Sequence, residues 1–385
     1  MSTDQSDDTS GIRLMKGIRL SKLQLLAAIL AIVALLLVPE VEGFFDNLQL
    51  DTTHNGILWG MAALGLNLLL RKTELVSFGH AAFFGGGAYG GAMLVNFADV
   101  TSGLLILFGA ALFATLLAVV IGWLVADYVD IYFALLTLAF GQMLFAIAIG
   151  SRTLGQDEGL RLRQGGEAVG DPPTLFGLEF TLQQQGQYRL LLYYFTIVLL
   201  IVSLIVMYRI MKSPFGSALD AIGQDRTRAR FIGIPVRRYV WAAFTISGLY
   251  GGIAGGLYGL RQLSIGPERT LEVFVSGEIL FMAILGGFQT LIGPIIGGLV
   301  LTFLLDNARF ITSHFELLTG AVLIFLVFFM PQGIIGSAPA IKDGAIERVR
   351  NPSMLGEDVG TVARMVQESL SDAVQTVKIL LFGVK

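Results

Sequence analysis

LVSFGHAAFFGGGAYGGAML, residues 75–94, is apolar enough to enter a lipid bilayer, yet it is rich in glycine and contains a histidine. Glycine inside a helix costs about 1 kcal/mol relative to alanine. Lipid tails, however, are as apolar as leucine, so membrane helices associate by close backbone approach, which small residues four positions apart permit. Gly86 and Gly90 have this spacing, as do Gly87 and Gly91. The stretch therefore predicts a membrane helix that packs tightly against a neighbour.

The composition of the whole chain is that of a membrane protein. Of its 385 residues, 54% are hydrophobic and 14% are charged, whereas roughly 25% of the residues of a soluble domain are charged. The net charge of −3 is scattered and gives no surface for nucleic acid. The chain has no cysteine, which excludes disulfides and thiolate chemistry. We therefore predict an all-α polytopic membrane protein that does not bind nucleic acid.

About 20 apolar residues are needed to cross the hydrocarbon core of a bilayer. By this measure the sequence predicts ten transmembrane helices, at residues 22–40, 55–71, 75–97, 103–126, 131–150, 190–209, 239–260, 273–289, 292–308 and 316–336. The eighth and ninth are the weakest, because only a short Gly/Pro break separates them. The transmembrane domain is thus predicted at residues 22–336. Residues 1–21 are predicted to be a disordered arm.

The distribution of lysine and arginine predicts the orientation, because short cytoplasmic loops carry an excess of both. The N-terminal arm and the loop at residues 210–238 are rich in them, and the segment between the first two spans has none. Both termini are therefore predicted to be cytoplasmic, with a cytoplasmic loop at 210–238 and an external loop at 151–189. Residues 337–385 are predicted to be an amphipathic tail, which could pack on the membrane face, dock on a partner or be disordered.

The seventh predicted span has the most extended glycine pattern. Gly248, Gly252 and Gly256 form one row along the helix, and a second row lies beside it. Two adjacent glycine rows give a flat face that suits a neighbouring backbone or a narrow path. Both interpretations stay open from the sequence.

Several polar side chains fall within the predicted spans. Ionisable groups at membrane depth usually face the bundle interior or a water-filled cavity, and they are functional candidates by default. On this basis the candidates for a translocation path are Ser77, His80, Tyr89 and Glu278. The alternative for His80 and Glu278 is a structural hydrogen bond between helices.

The predicted cytoplasmic loop contains SPFGSALDAIGQDRTRARFIGIPVRR, residues 213–238. Ser213 and Pro214 are residues that begin a helix, and Asp225 can cap a second short helix that ends near Gly233. A loop between two spans needs only a few residues, so two helices here predict a docking surface for a cytoplasmic subunit. Three arginines, at 226, 228 and 230, are predicted to project from it. The alternative is a positively charged loop that folds against lipid headgroups.

Together these segments resemble the membrane subunits of branched-chain amino-acid ABC importers, the LivH/LivM class, and especially the LivM type. That family carries a segment like GLLSLGHAAFFGIGAY, which LVSFGHAAFFGGGAY matches at residues 75–89, and a YFAIVTLAF segment that residues 132–140 match. The longest match runs from SPFGSAL to GGLYG, at residues 213–259, and MPQG at 330–333 resembles a closing motif. One departure is that Gly223-Gln224-Asp225 stands where the family usually has Arg-Glu-Asn.

The resemblance implies a permease subunit that pairs with a second, related permease, docks two cytoplasmic ATPase subunits and receives substrate from an external solute-binding protein. The coupling residues on this reading are Ser213, Pro214, Gly216, Asp225, Arg226 and Gly233. The chain has no GxxxxGK[ST] motif, so we expect it to be no enzyme and to bind no cofactor, with ATP-Mg held by the partner ATPases.

The substrate class is less well determined by the sequence than the architecture. A branched-chain amino acid is expected, and a permease for urea or short amides is the alternative. A stand-alone secondary transporter that uses His80 and Glu278 to couple protons also stays open, as does a membrane scaffold.

Overall fold

Helices make up nearly all of the regular structure in the computed structural model, which describes residues 12–15, 18–20, 35–39, 50–162, 171–311, 320, 324 and 333–336. Most of the first and tenth predicted spans, much of the N-terminal arm and all of the tail at 337–385 lie outside the described residues. The described helices belong to one compact unit that ends at Ile334. The secondary structure of the described residues agrees with the predicted all-α class.

The helices are α1 (Leu50–Thr73), α2 (His80–Ala98), α3 (Gly103–Val125), α4 (Asp130–Gly150), α5 (Gln185–Lys212), α6 (Pro214–Gln224), α7 (Arg226–Phe231), α8 (Val236–Gln262), α9 (Val273–Gly286) and α10 (Gly293–Ile311). Four short strands pair antiparallel, β1 (Ile12–Met15) with β2 (Ile18–Leu20) and β3 (Leu160–Arg161) with β4 (Ser264–Ile265). The pair β1–β2 falls within the arm that the sequence predicts to be disordered.

Within the described ranges, four helical stretches are long and apolar enough to cross a bilayer, namely Gly103–Val125, Asp130–Gly150, Leu182–Lys212 and Val236–Gln262. Two further apolar helices are shorter, Val273–Gly286 and Gly293–Ala308. The chain is therefore an all-α polytopic membrane protein, as predicted, and the total of ten spans stays a prediction.

Helix α8 lies at the centre of the bundle, where α1, α2 and α3 all pack against it. Gly248, Gly252 and Gly256 face Ala118, Ala114 and Ala110 of α3 in that order. The residue numbers of the glycines rise as those of the facing alanines fall, so α8 and α3 run antiparallel. A Cβ added at Gly256 would lie 2.6 Å from that of Ala110, and one at either other glycine would overlap its alanine outright. This alanine–glycine ladder lets the two backbones approach closely.

The second glycine row of α8 is covered by α2. A Cβ at Gly251 would lie 3.0 Å from the Cβ of Phe83, and one at Gly255 would overlap the carbonyl oxygen of Phe84. Gly259, at the end of the second row, faces the side chains of Leu162 and Ile265 instead. Both rows are therefore covered by other parts of the chain in this structure. Gly87 of α2 in turn packs on the backbone of Gly252, so the glycines of the opening stretch and those of α8 meet.

The third predicted span, 75–97, differs from the structure at its start, because helix α2 begins only at His80. The chain before it leaves α1 through Glu74, which has a positive φ of 55°, and continues without helix to Gly79. The Phe78 N–H donates to Thr137 Oγ1 at 3.2 Å, and a Cβ at Gly79 would overlap the Thr137 carbonyl. The prediction of helix from residue 75 was therefore wrong. Hydropathy measures only how apolar the residues are, so it does not distinguish a helix from non-helical backbone whose polar groups are hydrogen-bonded to other parts of the protein.

Helix α2 also begins deep within the bundle. His80 is hydrogen-bonded to Ser247, which lies eleven residues into α8. At 1.5 Å per residue this is roughly 16 Å from the start of α8, about half of a 30 Å hydrocarbon core. The segment at 74–79 thus enters the membrane as non-helical chain. Such backbone is tolerated at this depth where it is buried in protein.

Helix α9, like α2, begins within the bundle after a non-helical segment. Its 14 residues span only about 21 Å, less than a hydrocarbon core, and it follows a non-helical segment at 266–272. The Ala81 N–H at the start of α2 donates to Ser276 Oγ near the start of α9, at 2.9 Å. The two helices therefore begin close to one another near mid-depth. The predicted eighth span, 273–289, is accordingly a shorter helix than expected.

The turn between α9 and α10 lies short of the membrane surface. Asn67 Nδ2 donates to the carbonyl oxygen of Thr290 in this turn at 3.0 Å. Asn67 precedes Lys72 by five residues, so the turn lies roughly 7 Å deeper than that lysine along α1. Asn67 thereby satisfies a carbonyl that no water would reach at this depth.

Candidate functional site

The two helices α6 and α7, with the turn that follows them, form a projection at residues 213–235, here called the knob. Ser213 Oγ accepts from the Gly216 N–H at 3.3 Å, and Pro214 occupies the first turn of α6. Asp225 Oδ1 accepts from the N–H groups of Thr227 and Arg228 at 2.8 and 3.0 Å and so caps α7. These caps are the ones that the sequence predicts.

The contacts that make Asp225 a cap also favour its ionised form. The hydrogen bond from the Arg228 backbone, then that from Thr227 and the Arg228 charge, lower the pKa of the Asp225 carboxyl below its ordinary value. Arg228 Nε also lies 2.9 Å from Asp225 Oδ2. The cap of α7 is therefore ionised at neutral pH.

The knob is attached to the end of α1. Lys72 Nζ lies 2.5 Å from Asp220 Oδ2, and the lysine side chain is mostly buried. Next to this pair, a Cβ at Gly223 would lie 2.7 Å from the Lys72 carbonyl oxygen. Close approach of the two backbones therefore favours glycine at 223. The ion pair and this backbone contact join α6 to the end of α1.

A second attachment joins the knob to the turn between α3 and α4. Arg226 Nη1 donates to the Tyr128 carbonyl oxygen at 3.1 Å. Burial lowers the pKa of the Arg226 guanidinium, and the nearby Asp130 carboxylate partly offsets this. Just after the knob, Arg237 forms an ion pair of 3.1 Å with Asp127. The sequence predicts that Arg226 projects, whereas the structure turns it towards this turn.

The outer tip of the knob is apolar. Phe231 is 85% exposed and Ile232 is 74% exposed, and Gly233 reverses the chain with a φ of 88°. Beside them is a shallow pocket of about 250 Å³, lined by Ala221, Gln224, Asp225, Arg228, Ala229 and Ile232. The side chains of Phe231 and Ile232 give the knob an exposed apolar surface. Phe231 and Ile232 are not among the docking residues predicted from the sequence, although an apolar pair directly after three arginines is a signal that could have indicated them.

Ser77 and His80 lie in a buried cluster of hydroxyls at the start of α2. His80 Nε2 is 2.6 Å from Ser247 Oγ, and Ser77 Oγ accepts from the Gly79 N–H at 3.3 Å. The His80 ring makes edge contacts with the rings of Phe83 and Phe244, which also contact each other. Both residues are fully buried. In this structure His80 joins α2 to α8, Ser77 bonds within the segment before α2, and neither lines an open surface.

Tyr89 and Glu278 lie away from this cluster. Tyr89 is nine residues further along α2, roughly 13 Å from His80, and it is buried. Its hydroxyl has no hydrogen-bond partner among the described residues. Glu278 is two residues beyond Ser276, so it points to the opposite side of α9, and it is partly exposed. The structure therefore does not bring the four path candidates together.

Comparisons with known proteins agree with this architecture. A family model described as "Branched-chain amino acid transport system / permease component" matches residues 50–327. The high-affinity branched-chain amino acid transport system permease protein LivM of Escherichia coli is 26% identical over 297 residues, which cover 72% of this chain and 68% of that protein. The corresponding LivH protein of Escherichia coli is 24% identical over 311 residues, covering 77% and 95%.

A more distant similarity is to the nucleoside ABC transporter permease protein NupC of Lactococcus lactis, 29% identical over 101 residues that cover 26% of this chain and 31% of that protein. No solved structure matches the chain. The matching family model covers well over half of the chain, including every described helix from α1 to α10. The chain therefore belongs to the family of permease components of branched-chain amino acid transport systems.

Proposed function

We propose that this chain is the membrane-spanning subunit of an ATP-driven importer for branched-chain amino acids. It pairs with a second, related permease, docks two ATPase subunits through the knob and receives substrate from an external solute-binding protein. The similarity to both LivM and LivH supports this proposal, because the two relatives belong by name to one transport system. Both termini are cytoplasmic on this proposal, and the multi-pass chain lies in the cell membrane.

The observation that carries the proposal is the apolar tip of the knob. Two capped helices hold Phe231 and Ile232 outside the spans, with a pocket beside them. Burying a large apolar side chain against a partner contributes roughly 1.5–3 kcal/mol. Rigid presentation of such an anchor is what a protein partner requires. ATP is bound and hydrolysed by that partner, since this chain lacks a phosphate-binding loop.

Motion of the knob reaches the spans through its attachments. Lys72–Asp220 ties it to α1, and Arg226 ties it to the turn between α3 and α4. Helix α8 continues directly from the knob and packs on α3 through the alanine–glycine ladder. Small residues interlock little, so α3 and α8 slide between two packed arrangements when the ATPases close. Such a switch opens the path alternately to either side.

The experiment that tests this function places a charge on the tip. Phe231→Asp with Ile232→Asp removes the apolar anchor and leaves the N-cap side chains of both helices, Ser213 and Asp225, unchanged. We expect the ATPase subunits to be lost from the purified complex and uptake of leucine to stop. Leu178→Asp is the matched control, because Leu178 is also an exposed apolar residue but lies in the predicted external loop. Retention of the ATPases by the double variant would refute the docking assignment.

A further inference from the structure

The predicted external loop contains a tight hairpin at residues 174–178. Leu175 and Leu178 exchange both of their backbone N–H groups, at 3.1 and 2.8 Å. The two residues between them, Phe176 and Gly177, have positive φ angles of 52° and 80°. Two consecutive positive φ angles are typical of a type I′ turn, in which asparagine, aspartate or glycine is the favoured first residue. Here that residue is phenylalanine, and it is 54% exposed.

The turn itself gives no reason for phenylalanine at position 176. A left-handed backbone is sterically unfavourable for a residue with a Cβ, and a phenylalanine ring cannot hydrogen-bond to the turn as an asparagine side chain can. The ring of Phe176 instead meets the ring of Phe195 of α5 edge to face, with the centroids 5.2 Å apart. The contacts of this ring therefore compensate for an unfavourable backbone, although more than half of the residue stays exposed.

The stem of the hairpin lies at the external end of α3. The Gly103 N–H donates to the Thr174 carbonyl oxygen at 2.8 Å, and the Thr174 N–H donates to the Thr101 carbonyl oxygen at 2.8 Å. Gly103 begins α3 and precedes Asp127, just beyond the other end, by 24 residues or roughly 36 Å of helix. A hydrocarbon core is about 30 Å thick, so the stem lies at or outside its edge.

The tip of the hairpin reaches deeper than the stem. Phe195 precedes Arg209 by 14 residues, which is roughly 21 Å along α5. Arg209 is the first charged residue after the apolar part of α5 and marks the predicted cytoplasmic boundary. Phe195 is therefore still inside a core of about 30 Å, and any tilt of α5 would place it deeper. Because the Phe176 ring contacts Phe195, this ring reaches the outer leaflet.

The surface around this contact continues the lipid-facing side of α5. Val198 and Val202 follow Phe195 by three and seven residues, so all three share one side of the helix. Both valines are more than half exposed, and they lie in the apolar stretch that is long enough to cross a bilayer. Acyl chains are therefore the neighbours of this side of α5. The exposed part of Phe176 extends the same lipid contact towards the external surface.

We propose that Phe176 is a membrane anchor that holds the external loop against the outer leaflet. Its ring inserts beside α5 at the boundary between headgroups and acyl chains, a depth at which exposed aromatic and aliphatic side chains bind membranes. The turn backbone stays at the level of the headgroups, because lipid-exposed non-helical backbone is not stable within the hydrocarbon. Transfer of the ring out of water offsets the unfavourable φ of Phe176. The proposal depends on the membrane topology and not on the solute that the chain transports.

The closing experiment uses the absence of cysteine from the native sequence. A nitroxide spin label is attached to Phe176→Cys in the full chain in lipid nanodiscs. Val198→Cys is the control in acyl chains, and Glu158→Cys, at an exposed position of the external loop, is the control in water. Collision rates are measured with oxygen, which concentrates in the bilayer, and with a water-soluble nickel chelate.

We expect the ratio of oxygen to nickel collisions for Phe176→Cys to exceed that for Glu158→Cys several-fold and to approach that for Val198→Cys. Equal ratios for Phe176→Cys and Glu158→Cys would overturn the proposal, because the hairpin would then lie in water. Protection of Phe176→Cys from both reagents would also overturn it, since a protein partner would then cover the hairpin.

A second measurement tests whether the loop depends on this ring. Asparagine adopts a left-handed backbone more readily than phenylalanine does, so Phe176→Asn preserves the turn and removes the ring. Phe176→Leu is the matched control, because it keeps an apolar side chain. The motion of a spin label at Glu179→Cys, just after the hairpin, is the readout. We expect its correlation time to shorten several-fold with Phe176→Asn and to stay the same with Phe176→Leu. Unchanged motion with Phe176→Asn would overturn the anchoring role.

Discussion

The same substitution at two glycines should have opposite effects on stability. At Gly252, a new Cβ overlaps that of Ala114. Carbon atoms pack at about 3.5–4.0 Å, so α3 and α8 must separate by more than roughly 1 Å. Overpacking of this kind costs about 1–3 kcal/mol, which exceeds the gain of about 1 kcal/mol from the helix propensity of alanine. Gly252→Ala should therefore destabilise the protein by up to about 2 kcal/mol.

Gly277→Ala is the matched control, because its Cβ meets nothing within 4.0 Å and gains the same propensity. The assay is unfolding of the detergent-purified chain, by heat or by titration with a denaturing detergent. Gly252→Ala should unfold earlier than the unmodified chain, Gly252→Leu earlier still, and Gly277→Ala at the same point or later. Equal stability of Gly252→Ala and the unmodified chain would refute the argument that the alanine–glycine ladder holds α8 against α3.

Three further predictions concern the attachments of the knob and the turn after α9. Lys72→Met removes the partly buried ion pair with Asp220; ATP hydrolysis should persist while leucine uptake falls several-fold, and normal uptake would show that α1 is not driven through this pair. Asp225→Asn preserves a capping oxygen and should retain ATPase binding, whereas Asp225→Ala should weaken it in a co-purification assay. Hydrogen bonds lower the pKa of the Asp225 carboxyl. The stability that the ionised cap contributes is therefore complete above the ordinary aspartate pKa, and it is lost only as the pH falls through the lowered pKa. ATPase binding should accordingly not change between pH 7 and pH 5 through titration of Asp225. Asn67→Ala leaves the Thr290 carbonyl without its donor and should cost about 1–3 kcal/mol in the unfolding assay; an unchanged midpoint would contradict the role of Asn67.

The sequence predicted those features that depend on local chemistry. The caps at Ser213 and Asp225, the short helices between them and the glycine spacing of α8 all follow from residues that are near each other in the chain. Apolar runs likewise predicted the helices that cross the bilayer. These features can be predicted from the sequence because each depends on helix geometry alone.

The features that sequence reasoning missed depend on residues far apart in the chain. Thr137, 59 residues away, accepts from the non-helical Phe78 N–H, and Ser276, 195 residues away, accepts from the Ala81 N–H in the first turn of α2. Hydropathy cannot distinguish that backbone from a helix. The direction of Arg226 likewise depends on the carbonyl of Tyr128, 98 residues earlier. For Glu278, only the packing of α9 on its neighbours decides which side is exposed.

The proposed coupling is tested most directly by reconstitution into lipid vesicles. This chain, its related permease, the ATPase subunits and the solute-binding protein are combined, and leucine uptake is measured with and without ATP. We predict uptake that requires ATP, the ATPase subunits and an intact Phe231–Ile232 tip. Uptake by the chain alone, driven by a pH gradient and unaffected by loss of the tip, would contradict the account.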